Sequence, residues 1–299
     1  MVVPSFNGHR TLPYLLRSLR RQVYSNFEVI LVDDGSSPPV TLPLLEEADG
    51  LRLKLVRARH NLGYTPARNV GIQCAEGEVL VLMDDDLQAP PSLTLAAALR
   101  HERVDRMLFL GFRASVDWPT YHSTPGCLPA LERDWRWQAQ MKPTHVRLSV
   151  FDAAERTGTI RIMEETALLK RLGHGAALGY WDLPPLMSSH DISLRRSDVI
   201  DAGGFAEDPT MNRWGMDDLS FGAIMIAAGF KVAPALEWRC WHLLQEGRET
   251  TRARQFATFV ANWEDYLRYI DRRWPAQGFP FRRISRVARH GSVEELRVA

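Results

Sequence analysis

Phe27-Glu28-Val29-Ile30-Leu31-Val32, ended by Asp33-Asp34-Gly35-Ser36-Ser37, reads as a buried strand that runs straight into an acidic turn. The pattern returns downstream, where Glu78–Met83 is an apolar strand ended by Asp84-Asp85-Asp86. Working outward, Val2-Val3 is the end of a first strand. Thr11 can cap a helix through Leu12, Leu15, Leu16 and Leu19, with Pro13 in its first turn, where proline is tolerated. Leu51–Val56 is a third strand, and Pro66–Cys74 a helix stopped near Gly77. Strands alternating with helices predict a mostly parallel sheet flanked by helices, an α/β fold. Both acidic clusters then fall just past the carboxyl ends of buried strands, the edge where open α/β sheets bind ligands.

Further along, the pattern thins. Phe112 to Pro185 is irregular and holds Trp118, Trp135, Trp137 and Trp181. These four offer aromatic faces to a ligand or form part of a core. Asp191–Val199 reads as a strand entering a turn before Gly203-Gly204-Phe205. Asp217 to Ala228 is a helix with Gly229 as its C-cap, and Phe230–Val232 a short strand. Arg252 to Trp274 is an amphipathic helix carrying Phe256, Phe259, Trp263, Tyr266 and Tyr269, followed by an arginine-rich tail. That helix either packs on the domain or touches a membrane or partner.

The 299 residues, 45% hydrophobic and 24% charged, suffice for one large domain or two small ones. The net charge of +1 gives no argument for nucleic acid. Cys74, Cys127 and Cys240 show no disulfide or metal-ligand spacing, which fits a reducing, cytoplasmic setting. The apolar runs are too short to span a bilayer and no signal peptide is expected. Peripheral membrane contact stays open. Met1-Val2-Val3-Pro4 is brief for a buried strand, so either that strand is short or the native start lies upstream.

Four motifs stand in order: Val2-Val3-Pro4-Ser5-Phe6-Asn7, Val29-Ile30-Leu31-Val32-Asp33-Asp34-Gly35-Ser36, Asp84-Asp85-Asp86, and Trp214-Gly215-Met216-Asp217-Asp218. Asn61-Leu62-Gly63, Ala67-Arg68-Asn69-Val70-Gly71 and Arg195-Arg196 before Gly203-Gly204-Phe205 lie between them. Together they resemble the inverting family-2 glycosyltransferases of the GT-A fold, over roughly Val2 to His242. The resemblance implies a nucleotide-sugar-binding half over residues 1–110 and an acceptor-binding, catalytic half over 111–247. Residues 248–299 would be a helical tail outside it.

The resemblance also assigns roles. Pro4 and Phe6 would face the nucleobase, and Asp34 would accept its imino N–H, which favours uracil or thymine over cytosine. Asp33 is the structural candidate of that pair. Arg68 either reaches the phosphates or is an exposed helix arginine. Asp84, Asp85 and Asp86 match the D-x-D motif, with Asp84 near ribose or metal and Asp86 on the metal. Magnesium or manganese prefers such hard oxygen ligands and neutralises a departing diphosphate. His242 is either a further metal ligand or a rim residue. Trp214, Gly215 and Asp217 would contact the sugar or acceptor, and Asp218 would be the general base. Asp217 stands where the family usually has Glu, and Ser220 and Ile224 where relatives often carry Glu and Arg.

Each motif has a plainer reading as well: Asp33-Asp34-Gly35-Ser36 a turn and helix cap, Asp84-Asp85-Asp86 a solvated loop or N-cap, and Asp217-Asp218 an acidic helix start favoured by the macrodipole. The expected reaction is transfer of a sugar from a nucleotide diphosphate, UDP-linked by the Asp34 argument, to a hydroxyl on a glycan, a lipid-linked acceptor or a small molecule. Two alternatives share the sheet and acids: a nucleotidyltransferase making a nucleotide sugar, and a non-catalytic sugar-binding relative. Ser5–Arg10 does not resemble the basic glycine-rich loop the first would need.

Overall fold

In a computed structural model of the chain, residues 1–41, 46–117, 161–162, 189–244, 261–262 and 264–274 are described. Trp118, Trp135, Trp137, Trp181, Cys127 and the arginine-rich tail lie outside them.

The strands are β1 (Val2–Ser5), β2 (Val29–Asp33), β3 (Leu53–Arg57), β4 (Val79–Met83), β5 (Leu87–Gln88), β6 (Met107–Asp117), β7 (Arg161–Ile162), β8 (Asp191–Arg195) and β9 (Lys231–Leu244). The helices are α1 (Leu12–Leu19), α2 (Tyr64–Cys74), α3 (Leu93–Arg103), α4 (Arg196–Ala202), α5 (Met216–Ala227) and α6, over residues 264–273. One sheet runs β3-β2-β1-β4-β8-β6-β9-β5, with β7 beside β6. The ladders β1–β2, β1–β4, β2–β3 and β6–β9 are parallel, while β8, β5 and β7 each pair antiparallel to their neighbours. The sheet is therefore mostly parallel, as the strand–helix alternation predicts, and β6 carries it across residue 110.

Period-two alternation sorts the side chains onto two faces. Val2, Ile30, Val32, Leu80 and Leu82 pack under α2 with Phe205 and Phe221. Val3, Val29, Leu31, Val81 and Met83 pack under α1 with Leu12, Leu15, Leu16 and Leu19. Gly71 lets α2 lie close: a Cβ there would sit 2.3 Å from Val2 Cγ1.

Several boundaries differ from the sequence pattern. β1 is short but pairs with β2 along all four residues. Asp191–Val199 is not one strand: β8 ends at Arg195, and Arg196–Ala202 forms α4, closed by Gly203 in the left-handed region. The short strand at Phe230–Val232 is the beginning of the 14-residue β9, which swallows His242. Aromatic residues of α6 (Tyr266 and Tyr269) pack with Ile270 against Met211, Met216, Leu219 and Ala223, so that face is core. Among the described residues, Cys74 and Cys240 are free thiols and no helix is long and apolar enough to cross a membrane.

Candidate active site

The carboxyl ends of β1, β2 and β4 meet the start of α5 at one edge. After β1, Asn7 adopts a left-handed conformation, which asparagine tolerates. Its N–H donates to Ser36 Oγ at 2.9 Å, and its Oδ1 accepts from Ser37 N at 2.9 Å. This leaves Phe6 half exposed at the rim beside the half-buried Pro4.

Asp33 and Asp34 divide their work. Asp33 is sealed in, accepting from Ser36 N at 3.0 Å, Val40 N at 3.1 Å and Arg57 Nη1 at 2.5 Å. Burial pushes its carboxyl up, but these donors outweigh it and hold the group below the usual range. Asp33 is thus a structural turn residue. Asp34 accepts from Leu62 N at 2.7 Å and Gly63 N at 3.0 Å, and burial outweighs those bonds to push its carboxyl upward. Both its oxygens already hold the start of α2; a base would be an additional partner.

The three aspartates after β4 point to three places. Asp84 N donates to His190 O at 3.1 Å, and its Oδ1 accepts from Arg68 Nη2 at 3.1 Å. Asp85 Oδ2 accepts from Ser5 Oγ at 2.5 Å, and a Cβ at Gly8 would collide with that carboxylate. Asp86 lies before β5, and β5 pairs Leu87 with His242 on β9. That register puts His242 Nε2 at 3.1 Å from Asp86 Oδ2, both residues buried.

The Asp86–His242 pair fits a divalent cation. A hard carboxylate and a borderline imidazole are suitable donors, and two neighbouring ligands at about 2.1 Å from magnesium or manganese stand about 3 Å apart. Among the described residues no three His, Cys, Asp or Glu side chains form a metal cluster. Asp84 is held by Arg68 instead, so a cation on this pair would complete its shell with phosphate and water oxygens, as magnesium commonly does.

At the start of α5, Gly215 takes the left-handed conformation that a Cβ disfavours and serves as N-cap residue. Trp214 before it is 40% exposed. Asp217 turns inward: it is buried, and its Oδ2 accepts from Arg68 Nη1 at 2.8 Å. Burial first, then the adjacent Asp218 charge, push its carboxyl up against the pull of Arg68. Asp218, half-buried, has a different partner. Its Oδ1 accepts from both Ser189 N at 2.8 Å and Ser189 Oγ at 2.5 Å, while Oδ2 takes no hydrogen bond among the described residues.

The geometry excludes one of the two alternatives for Arg68 and adds residues. Arg68 is buried, not an exposed helix arginine. Asn69 exchanges bonds with the Phe205 backbone at 2.9 and 3.1 Å, and Asn212 joins Leu62 O at 2.9 Å to Thr65 N at 3.2 Å. Those two asparagines clasp α2 to the segment leading into α5. Ser189, Asn69 and Asn212 carry no signal of their own, although Asn69 lies within the quoted Arg68-Asn69 stretch.

The model of glycosyl transferase family 2 matches residues 1–170, more than half of the chain. The chain belongs to glycosyl transferase family 2. Within this family-2 chain, 86 residues are 40% identical to an uncharacterized glycosyltransferase of Haemophilus influenzae, 29% of this chain and 28% of that protein. A longer match, 26% identical over 282 residues, joins 90% of this chain to 56% of a validoxylamine A glucosyltransferase from Streptomyces hygroscopicus subsp. limoneus. The chain thus spans little more than half of that relative's length and less of the other. A mannosyltransferase of Pyrobaculum calidifontis, solved with GDP-mannose and Mn2+, superposes with a TM-score of 0.53 at 20% identity, over 89% of this chain and 63% of that one. The family-2 chain shares its fold, of the GT-A type.

Proposed function

We propose that this protein is a metal-dependent inverting glycosyltransferase, taking a sugar from a nucleotide diphosphate, UDP-linked, to an acceptor hydroxyl. The observation that carries the reading is Asp218. One of its oxygens is fixed by two donors from Ser189, and the other is left to take a proton, at the sheet edge that carries the acidic loop. Residues 1–110 would bind the donor, with Phe6 and Pro4 against the base, and 111–247 the acceptor, with Trp214 at the rim.

The chemistry is one displacement. The acceptor oxygen attacks the anomeric carbon as Asp218 Oδ2 takes its proton. The bond from that carbon to the diphosphate breaks on the opposite side, and its electron pair leaves with the diphosphate. One such step inverts the carbon. A divalent cation, when bound, supplies positive charge against the leaving diphosphate. Asp86 and His242 are the residues that would hold it.

Family membership supports transfer over nucleotidyl chemistry, and the relative spanning 90% of this chain is named as a glucosyltransferase, which makes UDP-glucose the first donor to assay. The test is Asp218→Asn, which keeps size and removes basicity. Calorimetric UDP affinity should survive while turnover falls by roughly a hundredfold or more, the scale of a lost general base. Wild-type turnover in Asp218→Asn, or a product that keeps the donor's anomeric configuration, would sink the mechanism.

A further inference from the structure

Arg68 bonds both to the acidic loop after β4 and to the start of α5. It leaves α2 in its second turn and is 5% exposed. Nη2 donates to Asp84 Oδ1 at 3.1 Å and Nη1 to Asp217 Oδ2 at 2.8 Å. Its Cζ lies 5.5 Å from the Phe205 ring centroid, and Phe205 stacks on Phe221 of α5 at 4.0 Å. The guanidinium is therefore fixed at both ends of its fork and along one face. A fully buried cation needs such compensation, and its two partners come from different elements.

We infer that Arg68 is a positioning residue: it sets the separation of the donor-side loop from the base by holding Asp84 and Asp217 in one guanidinium. This rests on the transferase reading above. The geometry gives the reason. Successive residues of a helix point about 100° apart, so pinning Asp217 on Arg68 leaves Asp218 to meet Ser189. Two of the five guanidinium N–H groups are committed to these two carboxylates. The planar fork spans two carboxylates that a lysine ammonium, a point charge, would not hold together. The shorter aspartate at position 217 meets the guanidinium directly.

The test is a double-mutant cycle on the full chain: wild type, Arg68→Met, Asp217→Asn and the pair. Arg68→Lys runs alongside, keeping the charge should the methionine variant not fold. Transfer from the donor established for the wild type, UDP affinity and thermal unfolding are measured for each. Arg68→Met should lower kcat by roughly tenfold to a hundredfold, the effect of a small misplacement at a reacting centre, with donor KM and UDP affinity changed by less than about threefold. The pair should be no worse than the worse single variant, as expected for residues acting as one unit, and Arg68→Lys should recover only part of the loss.

A raised donor KM with unchanged kcat would make Arg68 a donor ligand. Losses that multiply in the pair would make Arg68 and Asp217 independent. Either result overturns the inference. Failure of the transferase reading looks different, because the wild type itself would then transfer nothing. In that case the cycle is read in unfolding temperature: additive shifts overturn the bridge, and non-additive shifts support it.

Discussion

Ser189 gives Asp218 two hydrogen bonds through one oxygen, while Asp217, one residue earlier, spends its carboxylate on Arg68. Environment, not residue type, separates their roles, and the same holds for Asp33 and Asp34. Ser189→Ala removes the hydroxyl donor and keeps the backbone one, loosening Asp218, the proposed base. A hydrogen bond to a charged group contributes about 1.5–3 kcal/mol, so kcat should fall roughly tenfold or more with UDP affinity unchanged, which steady-state kinetics and calorimetry together resolve. At this scale the sequence shows which residues are acidic and where the strands end. It does not show which oxygen meets which donor. Ser189 follows an irregular stretch with no periodicity, and its partner lies 29 positions away. Arg68 is similarly opaque, because a helix arginine is usually solvated and only the packing of α2 buries this one.

Elements were easiest to read where both sheet faces are covered. Val29–Val32 and Val79–Met83 are continuous apolar runs because α1 and α2 bury opposite faces of the same strands. The β8–α4 boundary is harder, since Ile192, Leu194 and Val199 fit either period and only Gly203 closes the helix. β9 extends far beyond Phe230–Val232 because it finds a ten-residue parallel partner in β6, a long-range fact. Close approach of α2 to the sheet predicts that Gly71→Val, colliding with Val2 and Val32, costs about 1–3 kcal/mol in denaturant unfolding while leaving UDP affinity per folded molecule unchanged.

On α3, His101 packs edge-on against Phe109 and shares a 2.9 Å hydrogen bond with Ser193 Oγ. Burial first, and then Arg195, push its imidazole down from 6.5 to about 4. Between those values the unfolded chain binds the extra proton. The stabilisation is therefore complete above about pH 6.5 and is lost as the pH falls toward about 4. Going from about pH 7 to about pH 5 should cost the wild type about 2 kcal/mol through this site. His101→Gln should unfold with a correspondingly flatter pH dependence over that window, and an unchanged slope would remove His101 as the source.

Across the whole molecule, one sheet brings together residues from distant parts of the chain. Asp86 and His242 are 156 positions apart and meet only because β5 turns back antiparallel onto β9. The motif order announces a two-ended site, yet the pairing that assembles its proposed metal end depends on ladders with no local signature. This architecture makes the two ends separable by experiment. Asp86 and His242 sit on the short β5–β9 pairing, whereas Asp218 sits on α5 and is held by Ser189. Losing the carboxylate should therefore remove metal-dependent nucleotide binding and spare the base. In titrations of UDP with and without manganese, Asp86→Ala should abolish the manganese-dependent part. His242→Ala should weaken it less, because phosphate and water oxygens can replace a neutral ligand more readily than a charged one. Asp218→Asn should bind UDP and manganese like the wild type. Asp86→Ala should unfold close to the wild-type temperature, since Asp86 lies in the loop before the two-residue edge strand β5. Unchanged manganese-dependent binding in Asp86→Ala would remove the metal from this pair, and loss of UDP binding in Asp218→Asn would show that the two ends are not separable.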